Sequence, residues 1–236
     1  MARAAGPSRR DRNAQEKQDR IFRAASELFA ERGYSAVTTQ EISERADVGA
    51  GTLFRYAASK SELLLMVFNE ELRAALEAGK ERMTRADNAV EAIMMLLGPA
   101  VQRARERTDD SAAYQRELLF GDAAERYRSE GLALVARLEA AIGGVLTGAA
   151  ERRGLDVDSE AIRVASVSVF AAMHLAIARS STGAHGSADV YEDLRVQVAQ
   201  IVEGALAILP GAPFESSPAP RSERGTGEQE QGENEP

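Results

Sequence analysis

The sequence contains no cysteine and no tryptophan, and only two of its 236 residues are histidine. The absence of cysteine excludes a disulfide framework and thiolate chemistry, and it is compatible with the cytoplasm. His174 and His185 lack the spacing of a metal-binding or catalytic histidine pair, and the sequence has no phosphate-binding loop and no nucleophile elbow. We therefore expect no metal site, no cofactor and no enzymatic activity.

Strand-like segments and long apolar runs are also scarce. Ala, Leu, Glu and Arg dominate, and apolar residues recur at helical spacing almost throughout, which predicts an all-α protein. The longest near-apolar run, residues 164–178, is shorter than the roughly 18 residues that a membrane span needs. We interpret it as a buried helix and expect no membrane partner. The start of the chain lacks the apolar segment of a signal peptide, which favours a cytoplasmic location.

Residues 37–63 carry the signals of three helix boundaries in one short stretch. Hydroxyl residues three positions before a glutamate form two capping boxes, Thr38 with Glu41 and Ser59 with Glu62. They predict helices that begin at Thr39 and Lys60, and a turn at residues 47–49 leaves room for a second short helix over residues 51–56. Two short helices joined by a glycine-containing turn are typical of a helix-turn-helix, although an ordinary helical corner has the same signals.

Polar side chains share one face of the second short helix. Thr52, Arg55 and Tyr56 lie at positions i, i+3 and i+4, and Leu53 points the other way. Arg can pair with guanine, Thr can contact a thymine methyl group, and Tyr can bind phosphate. Gly51 allows the backbone to approach a duplex closely, and Lys60 adds a cation beside free N–H groups that suit a phosphate. The pattern indicates a DNA-reading helix.

These residues together resemble the TetR (tetracycline-repressor-like) family over roughly residues 15–70. The matching positions are Thr39, Ile42, Ser43, Ala46, Val48, Gly51, Thr52, Leu53, Phe54, Tyr56, Ser59, Lys60 and Leu63. Asp47 and Ala57 depart from the pattern, which has glycine and phenylalanine there. The left-handed conformation is more accessible to Asp than to most residues, so Asp47 can still form the turn. The DNA contacts that the resemblance implies are Thr38, Thr39, Gly51, Thr52, Arg55, Tyr56 and Lys60.

The resemblance implies a three-helix DNA-binding domain followed by a larger helical domain for effector binding and dimerisation. We expect a disordered basic arm at residues 1–13, a helix-turn-helix domain at 14–62, a helical domain at 63–209 and a disordered acidic tail at 210–236. The helix patterns cover residues 13–32, 59–85, 87–107, 111–122, 124–153, 159–180 and 188–209. Pro99 is expected to kink or divide the third of these.

The charges are distributed unevenly among these segments. The net charge is −8, but residues 1–62 carry 11 Lys and Arg against 9 Asp and Glu, so the acidity lies elsewhere. Such a domain would bind DNA through a local basic face. The four arginines before the first helix either extend this face as an arm on the duplex or form a solvated terminus without contacts, namely Arg3, Arg9, Arg10 and Arg12.

The family also implies an internal effector pocket and a twofold interface. Soft and aromatic side chains are candidates to line the pocket, unless they are plain core: Met94, Met95, Leu97, Tyr114, Phe120, Tyr127, Phe170 and Met173. Few charges are predicted to face inward, which favours an apolar effector. Faces of the last two helices are candidates for the homodimer interface, unless they are the core of a monomer: Val167, Ala171, His174, Val198, Ile201, Val202 and Ala205.

The function predicted from the sequence is a homodimeric repressor that a small molecule releases from a palindromic operator. The main alternative is an all-helical ligand-binding or protein-interaction module that does not read DNA. A helical enzyme is the least favoured class. The partners expected are operator DNA, a second copy of the chain and a small effector.

Overall fold

A computed structural model of the protein describes residues 8–123, 125–156, 158–182 and 189–207, without the side chains of 180–182. Every regular element in these ranges is a helix, which confirms the all-α prediction. The helices are α1 (Arg9–Arg32), α2 (Thr39–Arg45), α3 (Ala50–Leu53), α4 (Lys60–Met83), α5 (Ala89–Glu106), α6 (Thr108–Phe120), α7 (Arg126–Arg153), α8 (Ser159–Thr182) and α9 (Val190–Ala207).

The apolar side chains form two clusters that meet along α4. The first cluster joins α1, α2, α3 and the first half of α4, and it includes a few residues of α6 and α7. The second joins the later half of α4 with α5, α7, α8 and α9. This arrangement confirms an N-terminal helix-turn-helix followed by a larger helical domain. The predicted domain boundary after residue 62 lies inside α4, which continues unbroken through both clusters.

Helices α4 and α5 approach each other very closely at Gly79. A Cβ atom placed on this residue would lie 2.2 Å from the carbonyl oxygen of Leu96 and 2.9 Å from its carbonyl carbon. Real Cβ atoms do not come this close to backbone, so only glycine fits at this crossing. The contact fixes the distance between α4, which begins in the first cluster, and α5 of the second cluster.

Two predicted boundaries are wrong. Residues 9–13 are not part of a disordered arm, because Ser8 caps α1 through the backbone N–H of Asp11 and the helix begins at Arg9. Helix α6 begins at Thr108 and not at residue 111. Asp109 and Asp110 were interpreted as a break, but acidic residues are favourable in the first turn of a helix, where the N–H dipoles point at them.

The remaining differences are smaller. Helix α3 ends at Leu53, and residues 54–56 continue it as a hydrogen-bonded turn. Pro99 does not divide α5, since Leu97 and Val101 on either side of it are buried in the same cluster and hold both parts in place. The predicted acidic tail and the loop around residues 183–186 lie outside the described residues.

Helices α7 and α8 are long and apolar enough to cross a membrane, judged by length and composition alone. The core helices of a soluble protein meet the same criterion. Each contributes residues to the second cluster, Leu138 and Ile142 from α7 and Val169 and Met173 from α8. Their apolar character therefore has an explanation in the internal packing of the protein.

Protonation of Glu41, in the first turn of α2, should lower the stability of the protein at acid pH. Hydrogen bonds from Arg32 (2.6 Å) and from the backbone N–H of Thr38 (2.8 Å) lower the pKa of Glu41 from 4.5 to about 2. A depressed carboxyl pKa stabilises the fold above pH 4.5 and loses this effect as the pH falls towards 2. In thermal unfolding, we expect Glu41→Gln to lower Tm at pH 6 and to match the wild type near pH 2. A difference that is constant with pH would contradict this assignment.

Candidate nucleic-acid interface and internal cavity

The turn between α2 and α3 has the geometry that the sequence predicts. Thr38 and Glu41 form both hydrogen bonds of the capping box, with the Thr38 hydroxyl accepting from the Glu41 backbone N–H at 3.2 Å. Asp47 has a φ of +51°, which is the left-handed conformation expected of the residue that replaces glycine there. Its carboxylate also pairs with Arg20 of α1 at 3.2 Å, on the surface.

Helix α3 is held by one apolar residue and presents polar residues outward. Leu53 is fully buried in the first cluster, and Arg55 is exposed. Thr52 and Tyr56 are partly exposed, and the Tyr56 hydroxyl donates to the carbonyl oxygen of Ala14 in α1 at 3.1 Å. This bond fixes the turn after α3 against the first helix. The polar face therefore has a defined orientation.

A basic groove lies between this face and the beginning of α1. We call it the α1–α3 groove, and its lining consists of Arg9, Arg10, Asn13, Ala14, Lys17, Thr52, Arg55 and Tyr56. Four of these residues are cations, and none is an acid. The sequence had placed Arg9 and Arg10 in a flexible arm, either on the duplex or without contacts, and the structure places them on α1. The signal for their helical position was Ser8, whose spacing from Asp11 is that of a capping box.

Two of the other predicted DNA contacts, Thr38 and Lys60, already make bonds within the protein. Thr38 uses its hydroxyl in the capping box, whereas Thr39 is the first residue of α2 and Gly51 is exposed on α3. The Lys60 ammonium lies 4.3 Å from the centre of the Tyr34 ring and donates to the carbonyl oxygen of Ser35 at 3.4 Å. Partial burial lowers the pKa of Lys60. Its charge is thus located beside the α1–α2 turn.

Glu62 connects the helix-turn-helix to the later helices. Its carboxylate accepts from the backbone N–H of Ala58 at 2.5 Å and from that of Arg126, at the start of α7, at 3.1 Å. Ser59 caps α4 as predicted, and its hydroxyl also donates to Glu125 at 2.9 Å. The predicted second capping box is therefore only half formed. The Glu62 carboxylate joins two segments and does not return to the backbone of Ser59.

A cavity of about 80 Å³ that is partly open to solvent lies among α4, α5, α6, α7 and α8. One water molecule needs roughly 10–15 Å³ measured in this way, so the cavity has room for a small organic group. Most of its lining is apolar, and three predicted effector residues contribute to it, Tyr114, Phe170 and Met173. The polar residues of the lining are Glu71, Arg103, Ser111, Gln115 and His174.

The structure does not bring the other predicted effector residues to this cavity. Met94 and Leu97 are buried in the second cluster, and Met95 next to them is partly exposed. Phe120 is 81% exposed at the end of α6. Tyr127 packs in the first cluster, where its hydroxyl accepts from Gln18 of α1 at 3.3 Å. The chemical type of these side chains suits a pocket, but the packing of the helices places them away from this cavity.

His174 faces the cavity, although the sequence had assigned it to the dimer interface. Its ring lies 5.3 Å from that of Phe170, and its backbone carbonyl accepts from the Gln115 side chain at 3.0 Å. Burial lowers the pKa of His174, which favours the neutral ring at neutral pH. A neutral imidazole suits a cavity with an apolar lining.

The predicted dimer residues divide into two groups. Val198, Val202 and Ala205 are buried in the second cluster, so they are not available to a second copy, and assigning them to the interface was incorrect. The apolar face of α9 packs on the chain's own α5, α7 and α8. Val167 and Ala171 are exposed on α8, and Ile201 is partly exposed on α9. Val164 and Leu175 extend the exposed row on α8, at 48% and 59% exposure.

Comparison with known proteins identifies the fold and the family. The family model described as "Bacterial regulatory proteins, tetR family" matches residues 21–67, which include α2, α3 and the start of α4. The helix-turn-helix of this chain is that of the TetR family. A TetR-family repressor, KstR of Rhodococcus jostii, is 34% identical over 112 residues, which are 47% of this chain and 52% of KstR. The chain thus matches about half the length of that relative.

Two further relatives extend the match beyond the helix-turn-helix. The transcriptional regulator TcmR of Streptomyces glaucescens is 27% identical over 180 residues, covering 74% of this chain and 76% of TcmR. The crystal structure of Thermus thermophilus FadR, a TetR-family repressor in complex with lauroyl-CoA, superposes with a TM-score of 0.66 at 27% identity. It covers 83% of this chain and 98% of FadR. The larger helical domain is therefore also of TetR-family type.

Proposed function

We propose that the protein is a transcriptional repressor that reads operator DNA through α3 and the α1–α3 groove. The observation that carries this proposal is the exposed Arg55 in a groove lined by four cations, beside a helix whose opposite side is anchored by Leu53. An anchored helix presents side chains to base edges in a fixed register, and the surrounding cations suit phosphates. The other predicted contacts, Thr38, Thr39, Gly51 and Lys60, lie on or beside the same helix-turn-helix.

Two copies of the chain would read a palindromic operator. The exposed apolar row on α8, formed by Val164, Val167, Ala171 and Leu175, supports a symmetric interface between two copies. Such a row is costly to expose to water on a monomer, and a twofold partner that presents the same row would cover it. The predicted interface thus retains Val167, Ala171 and Ile201, and it shifts from the inner face of α9 to the outer face of α8.

The effector is proposed to be an amphiphile whose apolar part enters the cavity, which would have to widen for a long acyl chain. Aromatic and aliphatic side chains from five helices line the cavity, and Arg103 at its edge is exposed and can meet an anionic head group. The complex of the related Thermus thermophilus repressor with lauroyl-CoA supports this class of ligand. Binding would weaken operator affinity by favouring a different separation of the two helix-turn-helix units. We propose that the protein acts in the cytoplasm and that it is not an enzyme.

Replacement of Arg55 tests the DNA-binding proposal. Arg55→Ala should weaken binding to the selected operator by about 1–3 kcal/mol, because a bidentate contact with guanine would be lost. Fluorescence anisotropy with labelled operator and with random duplex of equal length measures both losses. Arg152→Ala, which removes an exposed arginine at the far end of α7, is the matched control and should leave both affinities unchanged.

The comparison between the two duplexes decides what Arg55 does. A loss confined to the operator assigns a base contact, whereas equal losses on both duplexes assign a phosphate contact. If Arg55→Ala changes neither affinity, the groove is not the DNA interface. The alternative, a ligand-binding or protein-interaction module, would then be favoured.

A further inference from the structure

A buried carboxylate on α6 holds the turn that precedes α2. The side chain of Asp110 accepts a hydrogen bond from the backbone N–H of Tyr34 at 2.7 Å, although 76 residues separate the two. Asp110 is 6% exposed. Tyr34 in turn packs against Phe29 and lies under the Lys60 ammonium, both in the helix-turn-helix domain. Asp110 therefore connects α6 directly to the turn that precedes α2.

The same carboxylate is bound by an arginine that also contacts the cavity lining. Arg107 donates to the second oxygen of Asp110 at 2.7 Å and to Glu71 of α4 at 2.9 Å. Its guanidinium lies 4.6 Å from the centre of the Phe68 ring. Glu71 and Phe68 both line the cavity. The Arg107 side chain is only 17% exposed, so its positive charge is stabilised mainly by the carboxylates of Glu71 and Asp110.

One carboxylate oxygen of Glu71 has no hydrogen-bond donor within the described residues, so the bonding of Arg107 can change. The Glu71 Oε2 atom is buried and accepts no hydrogen bond within the described part of the chain, while Oε1 is bound by Arg107. A buried carboxylate oxygen without a donor is unfavourable, and a shift of the Arg107 guanidinium towards Glu71 would supply one while lengthening its bond to Asp110. A ligand that displaces Phe68 or Glu71 would change this balance.

A second connection from the cavity to α1 is more rigid. Tyr114 lines the cavity and donates to Asn69, which donates to the carbonyl oxygen of Tyr127, and Tyr127 accepts from Gln18. Asn69 is 2% exposed, and a Cβ atom on Gly131 would lie 2.7 Å from its Oδ1. These groups are neutral and tightly packed, so they maintain the junction between the two halves. They offer no alternative pairing of the kind that Arg107 has.

We propose that Arg107 and Asp110 transmit occupation of the cavity to the helix-turn-helix. When a ligand contacts Phe68 and Glu71, Arg107 moves towards Glu71, its bond to Asp110 weakens, and the Tyr34 N–H loses its fixed acceptor. The α1–α2 turn then changes position relative to α6, and operator affinity falls. This mechanism rests on the proposed function, because it requires that the cavity binds the effector and that the helix-turn-helix binds DNA.

Asp110→Asn tests the proposal because it removes the ion pair between Arg107 and residue 110 and keeps an acceptor for the Tyr34 N–H. The amide oxygen can still accept from the Tyr34 N–H, but the charge that binds Arg107 is removed. We expect the variant to bind lauroyl-CoA as the wild type does, but to bind operator, selected beforehand from a random duplex pool, more weakly, because its bond to Arg107 is already lost. Lauroyl-CoA should weaken operator binding of the wild type by about tenfold or more and that of the variant by less than about threefold. Glu192→Gln, in an exposed ion pair with Arg195, is the control and should respond as the wild type does.

Amide exchange at Tyr34 provides a readout that does not depend on the ligand. We expect Asp110→Ala to accelerate exchange of the Tyr34 amide by about tenfold or more, because its acceptor is lost. Asp110→Asn should accelerate it by less, because the amide oxygen remains but is no longer held by Arg107. Unchanged exchange in Asp110→Ala would overturn the assigned contact, and an Asp110→Asn variant that lauroyl-CoA releases as fully as the wild type would overturn the coupling role. If calorimetry shows no binding of lauroyl-CoA to the wild type, the proposed effector class fails, and exchange at Tyr34 still decides whether the contact exists.

Discussion

Gly79→Ala is expected to destabilise the protein by about 3 kcal/mol or more, since the added methyl group has no space between α4 and α5. The Cβ atom would overlap the backbone of Leu96, with 2.2 Å to its oxygen. Backbone cannot rotate away as a side chain can, so the two helices would have to separate. Leu76 and Ile93, which are buried at this interface, would then lose packing contacts.

Chemical denaturation with guanidinium, followed by circular dichroism, measures this loss. Gly144→Ala is the matched control, because it adds the same methyl group in the exposed middle of α7, where nothing lies within 4 Å. Alanine is the better helix former, and the control should be stabilised by about 0.5–1 kcal/mol. If both variants show the same change, the close approach of α4 and α5 is not present in solution.

Glu62→Ala should lower the free energy of unfolding by about 3 kcal/mol, because two backbone N–H groups lose a charged acceptor. These groups belong to Ala58, before α4, and to Arg126, at the start of α7. Glu62 is 5% exposed, so water replaces the carboxylate poorly. The loss should also free the helix-turn-helix from the later helices. We therefore expect faster proteolysis between residues 54 and 60 as well as a lower midpoint of unfolding.

Glu70→Ala, on the same helix, is the control for this substitution. Glu70 is exposed and pairs with Arg73 on the surface, and such pairs contribute only about 0–1 kcal/mol. Limited proteolysis and thermal unfolding of the two variants can be measured side by side. Equal sensitivity to protease would show that Glu62 does not join the two halves.

The helix-turn-helix could be predicted from the sequence because its boundaries are set by local chemistry. The Thr38 capping box, the turn at Asp47 and the Ser59 cap each depend on residues within four positions of one another. The same local logic places the start of α1, since Ser8 and Asp11 form a capping box. Charge density near the terminus was interpreted as disorder instead.

The cavity and the subunit surface could not be predicted in the same way. Met94, Phe120 and Phe170 are all apolar residues on helices, yet one is buried core, one is exposed and one lines the cavity. Their different surroundings follow from the way α4 to α9 pack on one another. Helical periodicity shows which face of a helix is apolar, but it does not show what that face packs against. Glu62 shows the same limit, since its bond to Arg126 spans 64 residues.

Selection of bound sequences from a random duplex pool, with the purified full-length chain, tests the central claim most directly. If two copies read DNA through α3 and the α1–α3 groove, the selected sequences should converge on a palindrome with half-sites about one helical turn apart, or a multiple of it. Binding to the winner should weaken steeply as salt increases, as expected for several phosphate contacts. A pool that shows no enrichment over repeated rounds would contradict the claim that this protein is a sequence-specific regulator.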